Sequence, residues 1–173
     1  MPKRTSVPKN PQNRLSNLKN ELTSAPKGIL LAIDPGNIDS AWMLFDLAEC
    51  AFLDFGICFN NELLELMKWR LFSYLAIEMI GNMGGCPGDD VFETAMWVGR
   101  FIQSSASMPH TRLYRKEVVN HICGDPNAGD KEVRAELIKR YGSQLTKGIK
   151  YDCWSALAIA TTFHDYAHRA FPT

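Results

Sequence analysis

Two short apolar runs, each interrupted by a carboxylate, constrain the fold of this chain more than any other feature. Residues 28–33 read Gly-Ile-Leu-Leu-Ala-Ile and stop at Asp34-Pro35-Gly36, a turn signal. Residues 71–80 run through Tyr74, Leu75, Ala76 and Ile77 to Glu78, with Met79 and Ile80 behind it. Each run is expected to be a buried strand. A carboxylate is almost never fully buried unless paired or bound to metal, so Glu78, flanked by core residues on both sides, calls for a partner. Asp34 has an ordinary alternative as a turn residue. Asp152, which opens an apolar helix, has another as a first-turn acid favoured by the helix dipole.

The remaining elements are legible from periodicity. Residues 40–47 and 50–59 are strand-like runs rich in Phe, Trp, Leu and Ile joined by short links, which predicts an antiparallel meander with the first strand. Over 60–70 the period changes, with Leu63, Leu64, Met67 and Leu71 at helical spacing. Four glycines and Pro87 make 81–88 a loop. A helix capped by Asp89 or Asp90 follows, with Val91, Phe92, Ala95, Met96 and Val98 as its expected inner stripe; Trp97, Phe101 and Met96 are expected in the core or at a dimer interface. A strand near 112–114, a helix over 115–122, a loop over 124–129, a helix over 130–141 closed by Gly142 and a terminal helix from about Asp152 complete the chain. The expected fold class is α/β, one mixed five-stranded sheet with its first three strands antiparallel, flanked by helices.

A chain of 173 residues, 46% hydrophobic, is long enough for one domain with a core of its own. Its zero net charge hides an asymmetry, because residues 1–27 hold six basic residues against Glu21 alone. That segment also carries four prolines and few aliphatic residues, which predicts a flexible basic tail ahead of a domain spanning 28–173. The tail reads equally as a clamp on a DNA backbone or as a solvated leader. No apolar run reaches the roughly 18 residues of a membrane span and no secretory signal is evident, so no membrane association and a cytoplasmic location are expected. The five cysteines form no C-x-x-C pair and are expected as reduced, mostly buried thiols. The histidines receive no role, with His164 and His168 expected on a solvated face.

Should the first and fourth strands be parallel neighbours, their carboxyl ends bring Asp34 and Glu78 side by side at the rim where α/β sheets bind ligands. A terminal helix crossing that rim adds Asp152. Three close carboxylates repel, and a hard divalent cation such as Mg2+ or Mn2+ relieves the repulsion. Two such ions about 4 Å apart suit phosphodiester hydrolysis.

Ile33-Asp34-Pro35-Gly36 after one apolar strand, Ala76-Ile77-Glu78 after another, and Asp152 followed by Ala156 to Ala160 resemble the three acidic motifs of RuvC-type Holliday-junction resolvases. These belong to the ribonuclease-H-like superfamily. The resemblance spans residues 28 to about 166, and the 84–103 block resembles the phage and prophage subgroup. It implies a homodimeric, Mg2+-dependent endonuclease of DNA recombination and repair that nicks four-way junctions, with two ions held by Asp34, Glu78 and Asp152. Lys131, in Gly129-Asp130-Lys131-Glu132, resembles the family's catalytic lysine near the scissile phosphate; its plainer alternative is an exposed first-turn lysine. Arg115 and Lys116 approximate an upstream basic position. Lys139 and Arg140, with Lys147 and Lys150 nearby, are candidate DNA contacts or a solvated face.

Two departures stand out. Where the family commonly has another acid three residues after the one matching Asp152, this chain has Ser155, whose hydroxyl can contact a metal-bound water. Asp165 lies too far along the helix to replace that acid. Ile80-Gly81-Asn82 stand where housekeeping members carry a wedging aromatic. Alternatives are a related nuclease of flaps, replication forks or structured RNA, and, in another class, a branched-DNA-binding protein whose chemistry has decayed.

Overall fold

A computed structural model describes residues 28–69, 71–81, 88–105 and 107–170. The expected tail and the loop around Gly84 lie outside the described residues. Five strands, β1 (Ile29–Pro35), β2 (Asp39–Asp46), β3 (Ala51–Phe59), β4 (Tyr74–Met79) and β5 (His110–Tyr114), form one mixed sheet in the order β3-β2-β1-β4-β5. The first three make the expected antiparallel meander, and β1, β4 and β5 run parallel. The helices are α1 (Asn60–Lys68), α2 (Asp89–Ser104), α3 (Arg115–Cys123), α4 (Asp130–Tyr141) and α5 (Cys153–Ala170).

Period-two alternation divides the strands between two cores. Leu30, Ala32, Met43, Phe45 and Ala76 face one side, where they pack with residues of α3, α4 and α5. Leu31, Ile33, Trp42, Leu75 and Ile77 face the other and meet Leu63 and Met67 of α1 and Val98 and Phe101 of α2. β1 and β4 are thus covered on both faces, which is why their sequences read as continuous apolar runs. Helix α5 is buried over most of its circumference, so it too is apolar nearly all round. Among the described residues no helix is long and apolar enough to cross a membrane.

Three expectations need correction. The fourth strand begins at Tyr74 rather than Leu71, because pairing with β1 starts at Leu30↔Tyr74 and Leu71 is exposed. In α2 only Val98 and Phe101 are buried; Phe92 and Met96 are 57% and 56% exposed, on a second apolar side that the sheet does not reach. His164 is not on a solvated face: its side chain is 12% exposed and bonded to Asp165. Of the cysteines described, Cys153 is buried and Cys50, Cys58 and Cys123 are half-buried, all free.

Candidate active site

Asp34 is the next-to-last residue of β1, on the same side of the sheet as Leu30 and Ala32. The turn after it is fixed by one buried asparagine. Asn60 Nδ2 donates to the Gly36 carbonyl at 3.0 Å, and its Oδ1 accepts from the Ser40 hydroxyl at 2.6 Å. Its backbone N–H donates to the Ile38 carbonyl at 3.0 Å. A Cβ at position 36 would run into the backbone carbonyl of Asp39, so glycine is required there.

Glu78 enters from β4. The parallel register pairs Ile33 with Ile77, so Asp34 and Glu78 are the next residues of adjacent strands, whose spacing is about 4.8 Å. Both alternate toward the α5 side. Burial pushes the Asp34 carboxyl up to about 6; the charge of Asp152 adds to the rise, while a hydrogen bond from Ser155 and the Arg115 guanidinium hold it back in part. Burial likewise pushes Glu78 up to about 8, with the charge of Asp34 adding and Arg115 opposing. Glu78 Oε2 is buried and has no hydrogen-bond partner.

Three further residues close around this pair. Asp152, immediately before α5, is exposed, and Ser155 lies on the first turn of the helix. Arg115, the first residue of α3, follows β5 without a loop. Its Nη1 donates to Ser155 Oγ at 3.2 Å and lies 4.0 Å from Glu78 Oε2, while its Nη2 pairs with Asp130. Asp130 opens α4, and its charge also raises Asp34 and Glu78.

Two adjacent carboxylates that repel, one with a buried oxygen lacking a hydrogen-bond partner, are the donors a hard divalent cation takes, so the donor chemistry fits such an ion. Asp152 stands near enough for its charge to raise Asp34, while among the described residues no group of three or more His, Cys, Asp or Glu side chains is gathered closely enough to hold a metal ion. The guanidinium of Arg115 lies among these acids.

Beside the acids opens a cleft of about 390 Å3 lined by Arg115, Asp130, Lys131, Arg134, Tyr151, Asp152, Trp154 and Ser155, with Val133 behind them. Lys131 thus shares a cavity with Asp152. Lys116 is exposed, Lys139 is ion-paired to Glu136 at 3.3 Å, and Arg140 makes two 2.6 Å bonds to Asp165 away from the cleft. Arg115 turns inward onto the acids rather than outward. Sequence reasoning missed Asp130, Arg134, Tyr151 and Trp154, because only the packing of α4 against α5 brings 130–134 and 151–155 to one cavity.

No protein-family model and no curated protein matches this sequence. Solved structures do. The structure of Thermus thermophilus RuvC matches with a TM-score of 0.63 at 16% identity, over 82% of this chain and 95% of that one. T. thermophilus RuvC in complex with Holliday junction substrate matches with a TM-score of 0.65 at 16% identity, over 82% and 96% respectively. The mixed five-stranded sheet and its flanking helices are therefore those of the RuvC-like, ribonuclease-H-like fold.

Proposed function

We propose that this chain is a metal-dependent DNA endonuclease that nicks four-way junctions. The observation that carries this reading is the buried pair Asp34 and Glu78, set at the carboxyl ends of adjacent parallel strands beside Asp152, in a fold shared with a protein solved on a Holliday junction. Bound divalent cations, two in the form we favour, would activate the attacking water and stabilise the leaving oxygen. Asp34, Glu78 and Asp152 would hold them, with the Ser155 hydroxyl directed at a bound water. Lys131 stands in the adjoining cleft to meet the phosphate. Arg115, 4.0 Å from Glu78 and bonded to Ser155, places a positive charge beside the acids. The exposed Phe92 and Met96 of α2 support a homodimer, as two cuts across a symmetric junction require.

Asp34→Asn tests the reading on labelled four-way junctions with Mg2+. Nicking, scored as ligatable breaks, should fall by at least about a thousandfold while junction binding stays within a few fold. Full nicking by the variant overturns the assignment. A second reading, a junction-binding protein without chemistry, is favoured by Ser155 standing where the resembled family commonly has an acid; it gives shifted junctions and no nicks from the unaltered protein at any Mg2+ concentration.

A further inference from the structure

We infer that the cleft beside Asp152 is a subsite for one unstacked nucleotide of the DNA, with Tyr151 stacking on its base and Lys131 and Arg134 meeting its phosphate. The inference rests on the reading above and adds what the cleft recognises.

The walls of the cleft differ in chemistry. On α4, Lys131 and Arg134 are three residues apart and therefore share a face. Among the described residues neither has a carboxylate within ion-pair distance. Facing them are Tyr151 and Trp154, also three residues apart, with the Arg134 guanidinium 5.0 Å from the centre of the Trp154 ring. The indole is 8% exposed, and its Nε1–H is buried without a hydrogen-bond partner. A cavity of about 390 Å3 is at the small end of sites that enclose organic ligands, too small for a duplex and roomy for a nucleotide.

Tyr151 is the unusual residue. Its side chain is 80% exposed at the rim, where an aromatic gains little from the protein core. Its backbone is left-handed, with φ of +47°, a conformation that glycine or asparagine adopts easily and a bulky residue does not. Backbone strain of this kind is held in place by the surrounding structure and clusters at active sites and ligand clamps. Every nucleobase has a π-face, so an exposed tyrosine binds an unstacked base of any sequence. A branch point, where stacking is already interrupted, yields such a base at the lowest cost.

The test uses full-length protein and a four-way junction carrying 2-aminopurine next to the cut, in Ca2+ so that binding is separated from cleavage. For Tyr151→Gly, junction affinity should drop about five- to hundredfold and the 2-aminopurine fluorescence change should vanish, while Tm is unchanged or higher because glycine relaxes the backbone. Tyr151→Phe should retain both affinity and fluorescence change. Lys131→Gln should instead lower the salt dependence of binding by about one ion, which Tyr151→Gly leaves unaltered. A Tyr151→Gly protein that binds and perturbs the probe like the unaltered one overturns the subsite; if Asp34→Asn still abolishes nicking, the endonuclease reading survives. Failure of the unaltered protein to bind junctions removes both.

Discussion

Replacing Glu78 by glutamine removes a charge and keeps the side chain's shape, which isolates the electrostatic strain held in the metal-free site. Burial, with the neighbouring Asp34 charge, raises the carboxyl from an ordinary 4.5 to about 8. At 1.36 kcal/mol per pH unit that rise corresponds to about 5 kcal/mol. This is a ceiling, because a side chain 15% exposed turns toward water when it ionises; about 2–4 kcal/mol is the working expectation. The sign follows from proton counting. Between pH 4.5 and about 8 the folded chain holds a proton on Glu78 that the unfolded chain has lost, so stability falls as pH rises through that window and levels off above it. Urea unfolding in EDTA at pH 4.5, 6, 7 and 8 measures it. Glu78→Gln should match the unaltered protein at pH 4.5 and exceed it by about 2–4 kcal/mol at pH 8. His164 titrates in both proteins and cancels in the difference. Adding Mg2+ at pH 8 should stabilise the unaltered protein and leave Glu78→Gln unaffected. Parallel stability curves, or a variant less stable at pH 8, would refute the claim that Glu78 is a strained charge awaiting a cation.

The remaining predictions concern what positions the site and what ties the helices together. Asn60→Ala removes the bonds to Ser40 and Gly36, leaving the half-buried Gly36 carbonyl without its donor and the proton of the buried Ser40 hydroxyl without its acceptor; it should cost about 1–3 kcal/mol in urea unfolding and reduce nicking by loosening the turn that follows Asp34. Asp165 accepts from Arg140 twice and contacts His121 and His164, so Asp165→Ala should cost about 1–3 kcal/mol by leaving the half-buried His164 and its neighbours without their shared acceptor. The same network has a pH signature. Burial opposes the charge on His164, but bonds to Asp165 and Cys50 prevail and raise it to about 9; its stabilisation is complete below 6.5 and lost as pH rises through about 9. That alkaline loss should shrink in Asp165→Ala, which leaves only Cys50 to hold the charge, as followed by circular dichroism.

Local patterning carried most of the fold. The α4 span of 130–141 is flanked by Gly129 and Gly142, and the apolar runs of β1 and β4 mark strands covered on both faces. Asp34 and Glu78 were legible for the same reason, since each is a charge where the surrounding residues are core. The exposed side of α2 was not legible: Phe92 and Met96 look as apolar as Val98, and only the position of the sheet decides which side is covered. The direction of Arg115 was equally hidden. Its sequence context, basic and next to Lys116, suits a surface contact, whereas its place at the junction of β5 and α3 turns it onto Glu78, Ser155 and Asp130. Asn60 reads as an ordinary helix-start residue, and its grip on Gly36 depends on a contact 24 residues away.

The parallel pairing of β1 with β4 also sets the order in which this protein can come together. The hairpins β1-β2 and β2-β3 close over short stretches of chain, but Leu30 reaches Tyr74 only after the meander and α1 have been laid down between them. Such distant contacts form late, since loop-closure entropy is lost before they contribute anything. A partly folded chain holding the hairpins alone therefore has Asp34 in place and Glu78 elsewhere. The acidic pair arises only with the finished sheet, so a nascent or damaged molecule lacks the centre we propose for phosphodiester hydrolysis.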